Sequence, residues 1–149
     1  MIRKLNPNEI HLCLRGGADF FEEAKLDGKF NPDHFVSAIK PILASGKGAI
    51  IASFDDNTGA IQGALAAMSY PDVLTGDLIA VELFWFMHKE YRTGIKAVRL
   101  LKAYEEWAKI IGCKRLAMVR LLSLNADRLS ELYQKLGFKE VETAYTKIL

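Results

Sequence analysis

Cysteine is scarce in this chain: Cys13 and Cys113 are the only two in 149 residues. They stand far apart in apolar stretches, with no C-x-x-C or metal-ligand spacing. That excludes a disulfide scaffold and points to reduced thiols in a cytoplasmic protein. Histidine is equally thin. His11, His34 and His88 do not cluster with cysteines or carboxylates, so no metal site is expected. Long apolar runs are missing too. The longest, Leu78–Met87, is broken by Glu82 and is far too short to span a bilayer, so no membrane partner is expected. Met1-Ile2-Arg3-Lys4-Leu5 carries charge with no apolar run behind it, unlike a secretory signal.

A bias of charge is also lacking. Twenty Lys and Arg against eighteen Asp and Glu leave a net charge of +2. With no interleaving of basic and aromatic residues, this argues against a nucleic-acid partner. No G-x-G-x-x-G follows the first strand, and G-x-x-x-x-G-K-[ST], H-E-x-x-H and G-x-S-x-G do not occur. The usual sequence warrants for dinucleotide binding, nucleotide hydrolysis, zinc proteolysis and serine hydrolysis are therefore absent.

What is present is one ordinary globular domain, residues 1–149, with 50% hydrophobic and 26% charged residues. Met1–Leu5 reads as a short edge strand. Asn6-Pro7-Asn8-Glu9 and Asn31-Pro32-Asp33 both read as helix starts, with Asn as cap and Pro at the first position. Gly16-Gly17 is expected to end or bend the first helix, and Pro41 to distort the second. Residues 49–54 and 60–69 form a hairpin around Asp55-Asp56-Asn57-Thr58-Gly59, and Leu78–Met87 is a third strand. A long helix over 95–111 follows. Its buried stripe is expected at Ala97, Leu101, Tyr104, Ala108 and Ile111. A strand at 115–120, a helix at 125–136 and a last strand or hairpin at 140–148 complete the order. The fold class is α+β: three layers, α-β-α, with a mixed, mostly antiparallel sheet flanked by helices.

The third strand and the long helix hold the strongest functional signal. The strand passes through His88-Lys89-Glu90-Tyr91-Arg92-Thr93-Gly94 directly into a helix whose early turns carry Lys96, Arg99 and Lys102. Cations at a helix N-terminus oppose the macrodipole, at about 0.3–1 kcal/mol each when exposed. An anion held by the unpaired N–H groups would reverse that penalty, so the arrangement reads as a phosphate or pyrophosphate cradle.

The stretch from Glu82 to Leu101 resembles the acetyl-CoA motif of the GNAT superfamily of N-acetyltransferases. Leu132-Tyr133-Gln134-Lys135-Leu136-Gly137-Phe138 is similar to that family's Leu-Tyr-x-Lys-Leu-Gly-Phe ending. The resemblance implies transfer of acetyl from acetyl-CoA, as cosubstrate, to the amine of a small molecule or peptide, and it leaves room for a homodimer. It implies a cofactor site made of Phe86, Met87, Arg92, Thr93, Gly94, Ile95, Lys96, Ala97 and Val98, with Asn125 contributing. Ile95 stands where the family has glycine, and Gly94 sits one position early. That suggests a different loop path and weaker CoA binding.

Tyr133 is the candidate acid for the leaving thiolate, since its hydroxyl is a donor at neutral pH and the resemblance puts a tyrosine there. Glu82 is the candidate base, as the only charge in an apolar strand. Strand alternation puts it on one face with Phe84 and Phe86. His88 and Glu90 are weaker candidates. A second reading is a non-catalytic domain of the same fold that binds CoA or a protein partner, and Ile95 favours it.

Overall fold

A computed structural model of the chain describes residues 1–92 and 95–149, in two compact units, Met1–Val119 and Arg120–Leu149. The first unit holds a five-stranded sheet in sequential order: β1 (Ile2–Lys4), β2 (Gly48–Phe54), β3 (Ile61–Pro71), β4 (Leu78–Met87) and β5 (Arg115–Ala117). The first three pairings are antiparallel and β4–β5 is parallel. Short loops suffice for the β2–β3 and β3–β4 hairpins, while β1 and β2 are joined through the helical residues between them. The parallel pair needs a crossover, which α3 (Lys96–Ile110) supplies.

A 3-10 segment, Pro7–Cys13, leads into α1 (Leu14–Glu23), and α2 (Pro32–Ala44) follows. The start of the 3-10 segment is held as its sequence suggests. Glu9 accepts from the Asn6 backbone N–H at 2.9 Å and from both arms of Arg3 at 2.9 and 2.7 Å. α2 keeps Pro41 inside the helix.

Alternation along β2 and β3 sorts the core into two layers. Ile50, Ala52, Phe54, Ala64 and Ala66 join Ile10, Cys13, Ile39 and Phe86 in one cluster, the layer under α1 and α2. The intervening residues Ala49, Ile51, Leu65 and Ala67 are also buried, beneath the other layer, which α3 provides. The buried residues of α3 are Leu100, Leu101, Tyr104, Trp107 and Ala108. The expected stripe is therefore rotated: Leu100 and Trp107, with more apolar area, are buried in place of Ala97 and Ile111.

Two other expectations are corrected. Gly16-Gly17 neither ends nor breaks the helix but lies buried inside α1. A Cβ on Gly16 would come within 1.9 Å of the Phe86 ring, so glycine here permits close packing of α1 on β4. Residues 140–148 contain no strand. Their alternation is weak, most are exposed, and no partner strand pairs with them among the described residues. The second unit instead has one helix, α4 (Ala126–Lys135).

Candidate active site

β4 is paired on both sides only over Ile79–Val81, opposite Arg115–Ala117. From Glu82 to Met87 no strand pairs with its outer edge among the described residues, while β3 pairs with its inner edge at every residue but Leu83. Glu82 stands where β4 and β5 part. Its carboxylate accepts the Val119 backbone N–H at 3.0 Å, so a side chain replaces the ladder bond that the departing strand no longer provides.

The expected common face of Glu82, Phe84 and Phe86 is not observed. Ala66 pairs with Phe84, but the next residue of β3, Ala67, pairs with Glu82, leaving Leu83 as an extra residue. A bulge of this kind shifts the phase of alternation by one. Glu82 consequently lies with Ala67 on the α3 face, near Tyr104. Phe84 and Phe86 lie with Ala66 and Ala64 on the α1–α2 face. There they continue a row of touching rings: Phe30–Phe35 at 5.7 Å, Phe35–Phe84 at 5.2 Å, Phe84–Phe86 at 6.2 Å and Phe86–His88 at 5.4 Å between centroids.

Glu82 is half-buried, and desolvation pushes its carboxyl up to about 7, against a smaller opposing effect of the Val119 N–H. Burial, with the nearby Glu82 charge, also raises the Tyr104 phenol, whose hydroxyl donates to the Ala117 carbonyl at 3.3 Å. A carboxyl near 7 is poised between proton acceptor and donor at neutral pH.

After β4 the chain makes a 3-10 turn, Lys89–Tyr91, and α3 opens at Lys96. Thr93 and Gly94, both expected in the cofactor turn, lie outside the described residues. Arg92 does not face outward as a lone cation. Its two terminal nitrogens each donate to Glu23 at 2.6 Å, and Nε donates to the Met87 carbonyl at 2.8 Å. Ile95 occupies the N-cap with no side-chain cap bond, and it is exposed. The Lys96 ammonium sits 5.0 Å from the Tyr91 ring centroid. Beside the start of α3 lies a cleft of about 470 Å³ lined by Ser53, Asp55, Asp56, Gln62, Lys96 and Arg99, among others. Cations and carboxylates therefore share its lining, which lowers the net positive potential there. Ala97 and Val98 are half-buried on the same turn.

Phe86 and Met87 are both buried at the end of β4. His88 carries an imidazole only 9% exposed, 3.7 Å from the Asp19 carboxylate, whereas Glu90 is exposed. Among the described residues no group of three or more His, Cys, Asp or Glu could hold a metal ion, and no helix is long and apolar enough to cross a membrane.

In the second unit, Asn125 sits at the N-cap of α4 in the left-handed region (φ 38°). Tyr133 is buried, its ring centroid 5.6 Å from that of Phe138. The Leu-Gly-Phe ending explains that contact. Gly137 at φ +88° closes the helix, the Gly137 N–H donates to the Gln134 carbonyl at 3.0 Å, and the Phe138 N–H reaches the Tyr133 carbonyl at 3.0 Å. This is a Schellman closure, and its hydrophobic contact joins Tyr133 to Phe138.

Sequence reasoning missed Glu23, Leu83 and the Val119 N–H. No local signal marks the first, which meets Arg92 across 69 residues.

No family model and no curated protein matches the sequence. Solved structures do match over the whole chain. The structure of a probable acetyltransferase is 15% identical with a TM-score of 0.80, spanning 100% of this chain and 97% of that one. AAC(6')-Iy, in complex with the bisubstrate analogue CoA-S-monomethyl-acetylneamine, is 22% identical with a TM-score of 0.75 and the same coverage of 100% and 97%. A transcriptional regulator from Bacillus halodurans C-125 is 22% identical with a TM-score of 0.77, covering 100% and 99%. At these identities the likeness is one of fold: this chain shares its α+β fold with solved structures named as acetyltransferases and with one named as a transcriptional regulator.

Proposed function

We propose that the chain is an acetyl-CoA-dependent N-acetyltransferase that moves acetyl directly to the primary amine of a small molecule or peptide. The observation that carries this reading is the parting of β4 from β5 at a half-buried glutamate. An extended pantetheine arm can lie along the vacated edge of β4, where backbone groups near Phe86 and Met87 are in reach. Its pyrophosphate would then fall at residues 92–98 and the N-terminus of α3, with Lys96 nearby. Its thioester would fall toward Glu82. A solved structure of the same fold holding a CoA-linked analogue supports the assignment.

An ammonium acceptor with a pKa of ~10.4 must lose a proton before it attacks. Glu82, directly or through a water, is the acceptor of that proton. Reach along the strand argues against His88. Six residues at about 3.3 Å each put it roughly 20 Å from Glu82, beside the pyrophosphate turn. Glu90 lies beyond it in the 3-10 turn and is exposed. Tyr133 protonates the departing thiolate, and Asn125 supports the cosubstrate from the start of its own helix.

A second reading, a non-catalytic CoA-binding or protein-interaction domain, is favoured by Ile95 at the glycine position and by the Val119 N–H engaging the Glu82 carboxylate. A neighbour of this fold named as a transcriptional regulator fits it too. Melting with acetyl-CoA and CoA, followed by an amine screen read by free thiol, separates the two. At 100 times its dissociation constant a ligand should add about 2.7 kcal/mol of stability. No shift at millimolar acetyl-CoA would overturn both CoA readings. A shift with no thiol released from any amine would favour the second.

A further inference from the structure

We infer that Glu23 and Arg92 form a positioning pair that fixes where the proposed cosubstrate turn leaves β4, with Arg92 acting on the protein rather than on a phosphate. This rests on the acetyl-CoA reading above. Three donors of the Arg92 guanidinium are already placed, two on the Glu23 carboxylate at 2.6 Å each and one on the Met87 carbonyl at 2.8 Å. The bidentate contact is directional, and lysine cannot reproduce it. It also cancels the arginine charge that a pyrophosphate would otherwise meet. The anion must then rely on backbone N–H groups and on Lys96.

The position of Glu23 gives the pair its leverage. Glu23 is the last residue of α1, and Gly16, two turns earlier, is pressed against Phe86. α1 is thus fastened to β4 at the strand's buried end and again just past it. The second fastening holds the residue from which the turn departs. Arg92 also closes back on the last residue of β4 through the Met87 carbonyl. The exit of the strand and the entry to the turn are therefore fixed by one side chain. Carboxylates seldom sit beside a phosphate-binding arginine without lowering its affinity. Here the carboxylate is the arginine's principal partner, which makes sense if the arginine's task is geometric.

The test is a charge swap, with the dissociation constant of acetyl-CoA measured by calorimetry and melting of each unliganded variant as a control for folding. E23Q and R92Q should each weaken acetyl-CoA binding, by about tenfold for loss of a bidentate charged contact. The double variant E23R/R92E rebuilds the pair with its charges exchanged. It leaves the Met87 carbonyl without its donor, so it should recover part of the lost affinity and bind acetyl-CoA more tightly than either single variant, since coupled residues are not additive. If Arg92 instead contacts the phosphate, E23Q will leave affinity unchanged or raise it, and the swap will bind worse than either single variant. Either result overturns the proposal while leaving the acetyl-CoA reading intact. Wild-type protein that binds no acetyl-CoA overturns both.

Discussion

Helices α2 and α3 belong to the same unit and have similar lengths, yet they begin in opposite ways. At the start of α2 the Asn31 side chain accepts the His34 backbone N–H at 3.0 Å, Pro32 has no N–H to satisfy, and Asp33 suits the dipole. At the start of α3, Ile95 offers no side-chain acceptor, and the first turns carry Lys96 and Arg99. β4 repeats the contrast within one strand: Ile79–Val81 is paired on both sides, Glu82–Met87 on one. Where polar groups are satisfied internally, the element serves the fold. Where a helix start has no side-chain cap and a strand edge meets no further strand among the described residues, the acetyl-CoA reading proposed above places its ligand.

If that division is right, substitutions should separate into those that cost function and those that cost stability. The largest effect is expected from Tyr133, which belongs to neither helix. Tyr133→Phe keeps the ring and its packing on Phe138, so turnover should fall by ~10²–10⁴-fold with acetyl-CoA affinity nearly unchanged. Steady-state turnover beside a binding isotherm checks this, and wild-type turnover would move the proton to another donor.

Glu82→Gln comes next. Turnover at neutral pH should fall by ~10²-fold and recover in part toward pH ~9–10, where more of the amine is already neutral. Stability should change with the opposite sense of benefit. The Glu82 carboxyl is raised in the folded state to about 7, so the protonated form is favoured there. Its contribution is fully present below the unfolded-state value of ~4.3 and is lost as pH rises through about 7, worth on the order of 3 kcal/mol across that window. Urea unfolding on either side of the window should show wild type losing stability relative to the glutamine variant as pH rises. Equal loss in both would make Glu82 a fully ionised structural carboxylate.

The smallest effects test the helix comparison directly. Asn31→Ala should cost about 1 kcal/mol of stability and leave acetyl-CoA affinity alone. Ile95→Asp supplies a cap and should stabilise the unliganded protein by roughly 0.3–1 kcal/mol. The same substitution should weaken acetyl-CoA binding, because its carboxylate takes N–H groups meant for an anion. Matched denaturation and binding curves for the two variants decide the matter; if both behave alike, the two helix starts do not differ in purpose.

Much of the fold was legible because local rules and tertiary demands agree. The apolar run Leu78–Met87 bounds β4, Asn31-Pro32 starts α2, and the Leu-Gly-Phe ending stops α4. What escaped depends on partners distant in sequence. Gly16 reads as a helix breaker until the Phe86 ring is placed against it. Arg92 reads as a lone cation until Glu23 arrives from α1. The alternation of 140–148 is too weak to specify a strand without a neighbour. The face of Glu82 was misread because nothing in Val-Glu-Leu-Phe announces that Leu83 will be left out of register.

That one unmatched leucine means β4 must be counted twice, once up to Glu82 and afresh from Phe84. Leu83 is 38% exposed, so little packing forbids its loss. Deleting it would leave Ala67 opposite Glu82 and Ala66 opposite Phe84 in unbroken alternation, so Glu82 would keep the α3 face and only the bulge would vanish. A single codon lost here would therefore erase the bulge while keeping each remaining side chain on its own face. A gapless alignment of this strand with that of another protein risks equating residues that look in opposite directions.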